Sequence, residues 1–337
     1  MKTRRRWLVV MILSACAAVP WCAARAAGAP ADASTIISQA QQQFDEGNYS
    51  GAISTLQPAA SQTPPNGEVY YWLGRSYYEL RDYDNSIANL EKAVAIDPKN
   101  SVYHQWLGEA DGGKADVDRS FSYARKVKKE FEAAVSLNGS NIEARRDLEE
   151  FCLDAPWIVG GSKDEALAQV NAIAAIDPVA GHLARALDDR EALKNNEQAE
   201  SEYKQVLAAK PKKPEPYFEI ADFYIAQHRP ADIETAIQAA AAVRPKDPRI
   251  SFYRGVEAVL ANQNLSDAER DLKSYLATTP DRSDWPSHAS ARVWLGRLYE
   301  LEGKTPDAAE QYRAALQLDP RDKDARERLD KLGKSTQ

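Results

Sequence analysis

Cysteine is scarce in this chain of 337 residues: only Cys16, Cys22 and Cys152. A disulfide-stapled fold and a cysteine-based zinc cluster are both excluded, so stability has to come from packing. Histidine is equally thin. His104, His182, His228 and His288 lie far apart, and none has a histidine or cysteine three or four residues away. Positive charge is in deficit, with a formal net charge of −7, so the electrostatic footprint of a nucleic-acid binder is missing. No Gly-x-Ser-x-Gly elbow and no Gly-rich strand–loop–helix unit is present. Gly160-Gly161-Ser162-Lys163 lacks the glycine spacing, the following Ser/Thr and the preceding strand of a phosphate loop. Cys152 is expected to be a buried structural thiol rather than a nucleophile. No catalytic residue, metal or cofactor is expected.

Long apolar runs are missing as well, with one exception at the start. Lys2, Arg4, Arg5 and Arg6 precede an apolar stretch, Trp7 to Val19, and Ala24-Arg25-Ala26 follows with small residues flanking one position. This is the anatomy of an export signal, and the stretch is short for a membrane anchor. Residues 1–26 are therefore expected to be a signal peptide, followed by a short linker at 27–32. A second route stays open, because Leu13-Ser14-Ala15-Cys16 resembles a lipobox, which would place a lipid on Cys16. The first route gives an exported, periplasmic or secreted protein and the second a membrane-tethered lipoprotein. A membrane is expected as a partner only in the second case.

What the chain does have is a repeat. Residues 67–100 read GEVYYWLGRSYYELRDYDNSIANLEKAVAIDPKN and residues 289–322 read ASARVWLGRLYELEGKTPDAAEQYRAALQLDPRD. Aligned without a gap they share Trp-Leu-Gly, a tyrosine three residues on, an alanine, and a closing Asp-Pro. Gly74 and Gly296 fall mid-helix, where a side chain would hold the next helix away. Tyr77 and Tyr299 follow on the same face. Asp97-Pro98 and Asp319-Pro320 end the second helix, since proline removes a donor and restricts its predecessor.

This pattern closely resembles the tetratricopeptide repeat, whose unit of about 34 residues is a pair of antiparallel helices. The resemblance implies an all-α fold: an α-solenoid of about eight stacked helix-turn-helix repeats, forming a right-handed superhelix with a C-terminal cap helix. Units are expected near 33–66, 67–100, 101–140, 141–179, 180–213, 214–247, 248–283 and 289–322, with cap helix and tail at 323–337.

Two central units depart from the pattern. Asp111-Gly112-Gly113 is expected to break the first helix of the third unit where an aromatic should stand. Extra residues then add Arg119, Arg125, Lys126, Lys128 and Lys129, read either as a solvated basic face on a longer second helix or as a contact for an acidic partner. The fourth unit carries the insert Cys152 to Gly161, with Trp157, Gly160 and Gly161 as its marked residues. Trp157 is expected to fold back over the solenoid, with partner anchoring as the alternative. Ser162 and Glu165 form a capping box for the helix that follows.

In the resembled family the first helices line a concave groove that holds the partner. Carried over unit by unit, the groove positions are Gln41 and Phe44; Tyr71, Arg75 and Tyr78; Gln105 and Glu109; Arg145 and Glu149; Phe218 and Asp222; Phe252; and Arg297 and Glu300. Phe218 and Phe252 are equally readable as packing residues. Tyr71, Arg75 and Tyr78 share one helical face and are the first patch to test. The expected function is a non-enzymatic scaffold or adaptor of the bacterial cell envelope that binds a protein or peptide. The alternatives are a regulatory subunit of a membrane enzyme or transporter and, less favoured, an enzyme with an unrecognised site.

Overall fold

A computed structural model describes residues 32–191, 193–278 and 281–335. The expected signal peptide, the Cys16 lipidation site and nearly all of the linker lie outside the described residues. Within them the structure is helical and has no strand. Helices follow one another in antiparallel pairs: α1 (Ala33–Asp45) with α2 (Tyr49–Ala60), α3 (Gly67–Glu79) with α4 (Tyr83–Ile96), α5 (Ser101–Asp118) with α6 (Phe121–Leu137), and α7 (Ile142–Asp154) with α8 (Lys163–Ile176). Then come α9 (Pro178–Glu191) with α10 (Asn196–Ala209), α11 (Glu215–Ala226) with α12 (Pro230–Val243), α13 (Arg249–Ala261) with α14 (Leu265–Thr278), α15 (His288–Leu301) with α16 (Thr305–Leu318), and a final α17 (Lys323–Ser335). Each helix packs on the next, and odd-numbered helices also touch odd-numbered neighbours, as α1 does α3, α5 does α7 and α13 does α15. The odd helices thus share one layer of an α-solenoid. No helix among the described residues is long and apolar enough to cross a membrane.

Local chemistry sets the helix starts. Asn66, Asn100 and Asn141 cap α3, α5 and α7, each side chain accepting a hydrogen bond from a backbone N–H of the first turn. Close approach sets the pairing. A Cβ on Gly74 would lie 2.5 Å from Leu90 of α4, and one on Gly296 would lie 2.5 Å from the Tyr312 ring of α16, so these glycines let the paired helices touch. The tyrosines that follow reach the preceding hairpin: Tyr77 accepts from Gln57 of α2, and Tyr299 donates to Glu269 of α14.

The expected break in the third unit does not occur. α5 runs through Asp111-Gly112-Gly113 to Asp118 and stops at Arg119, a left-handed residue with φ 50°. Tertiary contact overrides the glycines' poor helix propensity. Gly113 lies under the Tyr83 ring, where a Cβ would sit 2.2 Å away, and Lys114 holds Asp84 at 2.9 Å. The extra residues therefore lengthen both helices. α6 carries exposed Arg125, Lys126 and Lys129 along its outer side.

The insert also differs from expectation. Trp157 does not fold back: it is 84% exposed, while Val159 of the same 3-10 turn is buried. The Ser162–Glu165 cap is one-sided. Ser162 accepts from the Glu165 N–H, but the Glu165 carboxylate turns to Lys128 at 2.5 Å and to the Cys152 thiol. The Ser162 N–H instead donates to the Cys152 carbonyl.

Candidate functional site

The odd-helix layer carries two different stretches of candidate surface. In the first, Arg75 is enclosed by aromatic rings. Its guanidinium carbon lies 4.0 Å from the Trp106 ring centre, 4.7 Å from Phe44, 4.9 Å from Trp72 and 5.7 Å from Tyr71. Phe44 is buried, while Tyr71, Arg75, Tyr78 and Gln41 are half-buried. The structure brings Phe44, Tyr71, Arg75 and Tyr78 together, but as a packed cluster joining the first three hairpins rather than as a row of presented side chains. Arg75 Nε and Trp72 Nε1 are buried there without a hydrogen-bond partner.

The second stretch is an acidic wall. Glu109 of α5 accepts from the Tyr78 hydroxyl, and Asp147 of α7 accepts from Gln105 at 2.7 Å. Arg146 of α7 reaches forward to Glu219 of α11 at 3.1 Å. Asp222, one turn further on α11, accepts from Tyr253 of α13. Crowding by protein atoms holds Glu109 and Asp147 well above the usual carboxylate range, with Glu150 adding to the shift of Glu109 and Glu109 to that of Asp147. Glu150 is raised by the same loss of solvent and by Asp154. Asp222 is pushed up to about 7, first by desolvation; Tyr253's hydrogen bond and Arg190 oppose the shift, and Glu219 adds to it. Water still reaches Asp222 and Glu150, so these are solvent-accessible charges in a recess, not interior ones. Beside Glu109 a cavity of about 640 Å³ opens, lined by Tyr78, Tyr83, Asp147, Glu150 and Phe151 among others. It occupies space next to Gly112 and Gly113, where the sequence places no aromatic side chain.

Several carried-over positions fall elsewhere. Arg145 points away from the wall, donating to the Gly139 carbonyl and to Gln169 of α8. Glu149 is fully buried, and neither carboxylate oxygen has a partner. The wall residues of α7 are instead Arg146, Asp147 and Glu150. The asparagine caps carry the signal that would have found Arg146 and Glu150: Tyr71, Gln105 and Arg146 each stand five residues beyond their cap, and Arg75, Glu109 and Glu150 nine. Phe218 and Phe252 are buried; Phe218 stacks on Tyr253 at 5.0 Å, and the Arg249 guanidinium carbon lies 4.4 Å from its ring centre. Arg297 is spent on Asp324 of α17 at 2.7 Å and lies over Trp294.

A feature absent from the sequence reading lies between α14 and α15. Residues 281–287 form a strap. The Ser283 N–H and hydroxyl both donate to the Glu79 carboxylate of α3, at 3.0 and 2.9 Å. The Tyr49 hydroxyl donates to the Asp281 carbonyl, and Arg282 approaches Asp45 at 4.0 Å. Trp285 lies near the guanidiniums of both Arg249 and Arg282 and, with Glu215, Phe218 and Asp222, lines a second cavity of about 420 Å³.

The chemistry for turnover is thin. Cys152 is buried, and desolvation pushes its thiol up to about 12, so little thiolate forms near neutrality. His104 pairs with Glu130 at 2.7 Å and His182 with Glu202 at 2.5 Å. Among the described residues no group of His, Cys, Asp and Glu is arranged to hold a metal ion.

Residues 43–109 and 256–323 each match a tetratricopeptide-repeat family profile. These stretches cover the late part of α1 through α5 and the α13–α16 region. None of the curated proteins compared matches this chain. Solved structures similar to it include the Cut9–Hcn1 hetero-tetramer of the APC/C, 14% identical, covering 88% of this chain but only 55% of that one, with a TM-score of 0.49. A tetratricopeptide repeat protein from Parabacteroides merdae is 13% identical over 89% of this chain and 98% of that one, with a TM-score of 0.43. MamA is 20% identical over 50% of this chain and 92% of that one, with a TM-score of 0.39. With its repeated Trp-Leu-Gly hairpins, its layered odd helices and both profile matches, the chain carries tetratricopeptide repeats at residues 43–109 and 256–323, set in an all-α solenoid of helical hairpins.

Proposed function

We propose that this protein is a non-catalytic adaptor, exported to the bacterial cell envelope, that holds an extended basic segment of a partner protein along its acidic wall. The observation that carries the reading is the crowding of Glu109, Asp147, Glu150, Glu219 and Asp222 on α5, α7 and α11 with Arg146 reaching across to only one of them. Carboxylates held above their usual range are under-compensated in the free protein, and a bound cation relieves them. The buried Cys152 thiol, His104 held between Glu130 and the Pro98 carbonyl, and His182 held by Glu202 support a binding rather than a catalytic role. Export enters from Lys2 to Ala26 of the sequence, with release after Ala26 or lipidation at Cys16 as the two routes. Cell fractionation separates them.

A Lys/Arg-rich peptide and its Glu-substituted counterpart, labelled for fluorescence anisotropy, test the wall. The basic peptide is expected to bind and the acidic one not. Replacing Glu150 and Asp222 by lysine should weaken binding by at least ~10-fold. Affinity should also rise from pH 6 to pH 8.5, because cation binding favours the ionised carboxylates and these are incompletely ionised near neutrality. Equal binding of both peptides, or an affinity that falls as pH rises, would refute the reading. Crosslinking in native envelopes then identifies the partner.

A further inference from the structure

We propose that the central insert, with the start of α6, is a docking tip for an anionic lipid surface, independent of the groove and of any lipid on Cys16. Trp157 is 84% exposed, Ile158 48% and Phe121 59%. Phe121 stands one turn before Arg125, whose guanidinium donates to the Ile158 carbonyl, so the three apolar side chains share one neighbourhood.

Their exposure is built in rather than left over from a floppy loop. Lys128 donates to the Gly160 carbonyl at 2.9 Å, the Val159 and Gly161 N–H groups both donate to the Pro156 carbonyl, and Val159 is anchored in the interior. Gly160 takes φ 113°, open to few residues but glycine. A short chain segment is thus closed on itself at its base, with tryptophan and isoleucine at its apex. Large apolar side chains held in water are unfavourable unless something covers them.

The charge around the apex selects the occupant. The chain as a whole is acidic, yet Arg125 stands against the Ile158 carbonyl, with Lys126 beside it on α6 over the Tyr123 ring and Arg119 lining the cavity with Pro156 and Val159; no ion-pair partner falls to any of the three among the described residues. Nearby carboxylates are engaged or turned elsewhere. Asp118 is held by Lys114, and Glu132 and Glu165 by Lys128, while Asp116 and Asp154 line the cavity beside Glu109 together with Arg119 and Phe121, which leaves Arg125 as the cation bonded to the turn itself. Exposed Trp157 and Ile158, with Phe121 and the cations Arg125 and Lys126 at the start of α6, match the interface of a bilayer. There an indole sits at headgroup depth, aliphatic groups enter the acyl boundary, and each cation near the surface is drawn to anionic headgroups.

The experiment is vesicle flotation of the full chain with phosphatidylcholine alone and with about 30% phosphatidylglycerol. Wild type should float with the anionic vesicles and be released by high salt. The pair Trp157→Ala with Ile158→Ser, and separately the pair Arg125→Glu with Lys126→Glu, should each reduce the bound fraction at least ~10-fold. Every variant keeps residues 1–32, so binding by that stretch is common to all. Quenching by brominated acyl chains, compared between wild type and Trp157→Phe, reads insertion of this indole even where both proteins float. Circular dichroism should be unchanged, because the turn keeps its Lys128 bond to the Gly160 carbonyl when the Arg125 contact with Ile158 is lost. The proposal is overturned if both variant pairs float like wild type. It is equally overturned if Trp157 contributes no quenching, or if the substitutions abolish a protein crosslink or a self-association while lipid binding is nil.

Discussion

Glu149 places a carboxylate inside the α7 packing face, fully buried and with both oxygens unbonded. Burial raises its pKa to about 8, with Arg146 opposing and Asp188 and Glu150 adding to the shift. A carboxyl whose folded pKa exceeds its unfolded value gives stability that is complete below the unfolded pKa and lost as pH rises through the folded one. Glu149→Gln removes that loss. In urea unfolding it should stabilise the protein by about 2 kcal/mol or more at pH 8.5 and by only a few tenths at pH 4.5. A gain of the same size at both pH values would mean that ionisation is not the cause. Arg75 behaves oppositely. Four rings surround its guanidinium, so Arg75→Ala should cost about 1–3 kcal/mol in lost stacking and packing. Replacing Tyr71, Arg75 and Tyr78 together would therefore unsettle the first hairpins and is a poor probe of binding. A melting midpoint for Arg75→Ala equal to wild type would contradict the packed-cluster account.

At the scale of elements, α5 separates two glycines that look alike in sequence. A Cβ on Gly112 would meet nothing closer than Val127 at 3.8 Å, whereas one on Gly113 would strike the Tyr83 ring. Gly112→Ala should then gain about 0.5–1 kcal/mol from helix propensity, and Gly113→Ala should lose about 1–3 kcal/mol as α4 is pushed off α5. Denaturant unfolding of the two variants gives opposite signs if α5 is continuous; both would be neutral if the helix broke at Asp111. This pair also marks what was legible. Hairpins and their closing Asp-Pro turns could be read because each depends on residues within one repeat, such as Gly74 against Leu90. The continuity of α5 could not, because it rests on Tyr83 and Asp84 from the hairpin before it. The wall position on α7 was mistaken by one residue, Arg145 for Arg146. That unit has no Trp-Leu-Gly to fix its register, which the Asn141 cap sets instead. Trp157 was expected to fold back on the general cost of exposing indole, but Lys128 and Arg125 fix the turn that presents it.

For the whole molecule, the strap at 281–287 joins parts of the chain some 200 residues apart, a relation that no local pattern encodes; Ser283 and Glu79 are separated by 204 positions. Their two hydrogen bonds are charge-assisted, the Tyr49 contact is longer at 3.3 Å, and Arg282–Asp45 is at the limit of an ion pair. Together such contacts contribute on the order of 1–3 kcal/mol, enough to keep the ends together most of the time and too little to keep them shut. Closure also bears on the wall, because the same strap carries Trp285 over Arg249 and borders Asp222. Glu79→Ala removes the acceptor for both Ser283 donors. It should leave helix content intact, lengthen the maximum dimension seen by small-angle scattering, speed hydrogen exchange at Ser283, and raise the on-rate of a basic peptide without changing its charge preference. Ser283→Ala, which keeps the backbone donor, should produce a smaller shift in the same direction. If neither substitution alters scattering or exchange, the ends are held by the Trp285–Arg249 packing instead, and Trp285→Ala becomes the variant that opens them.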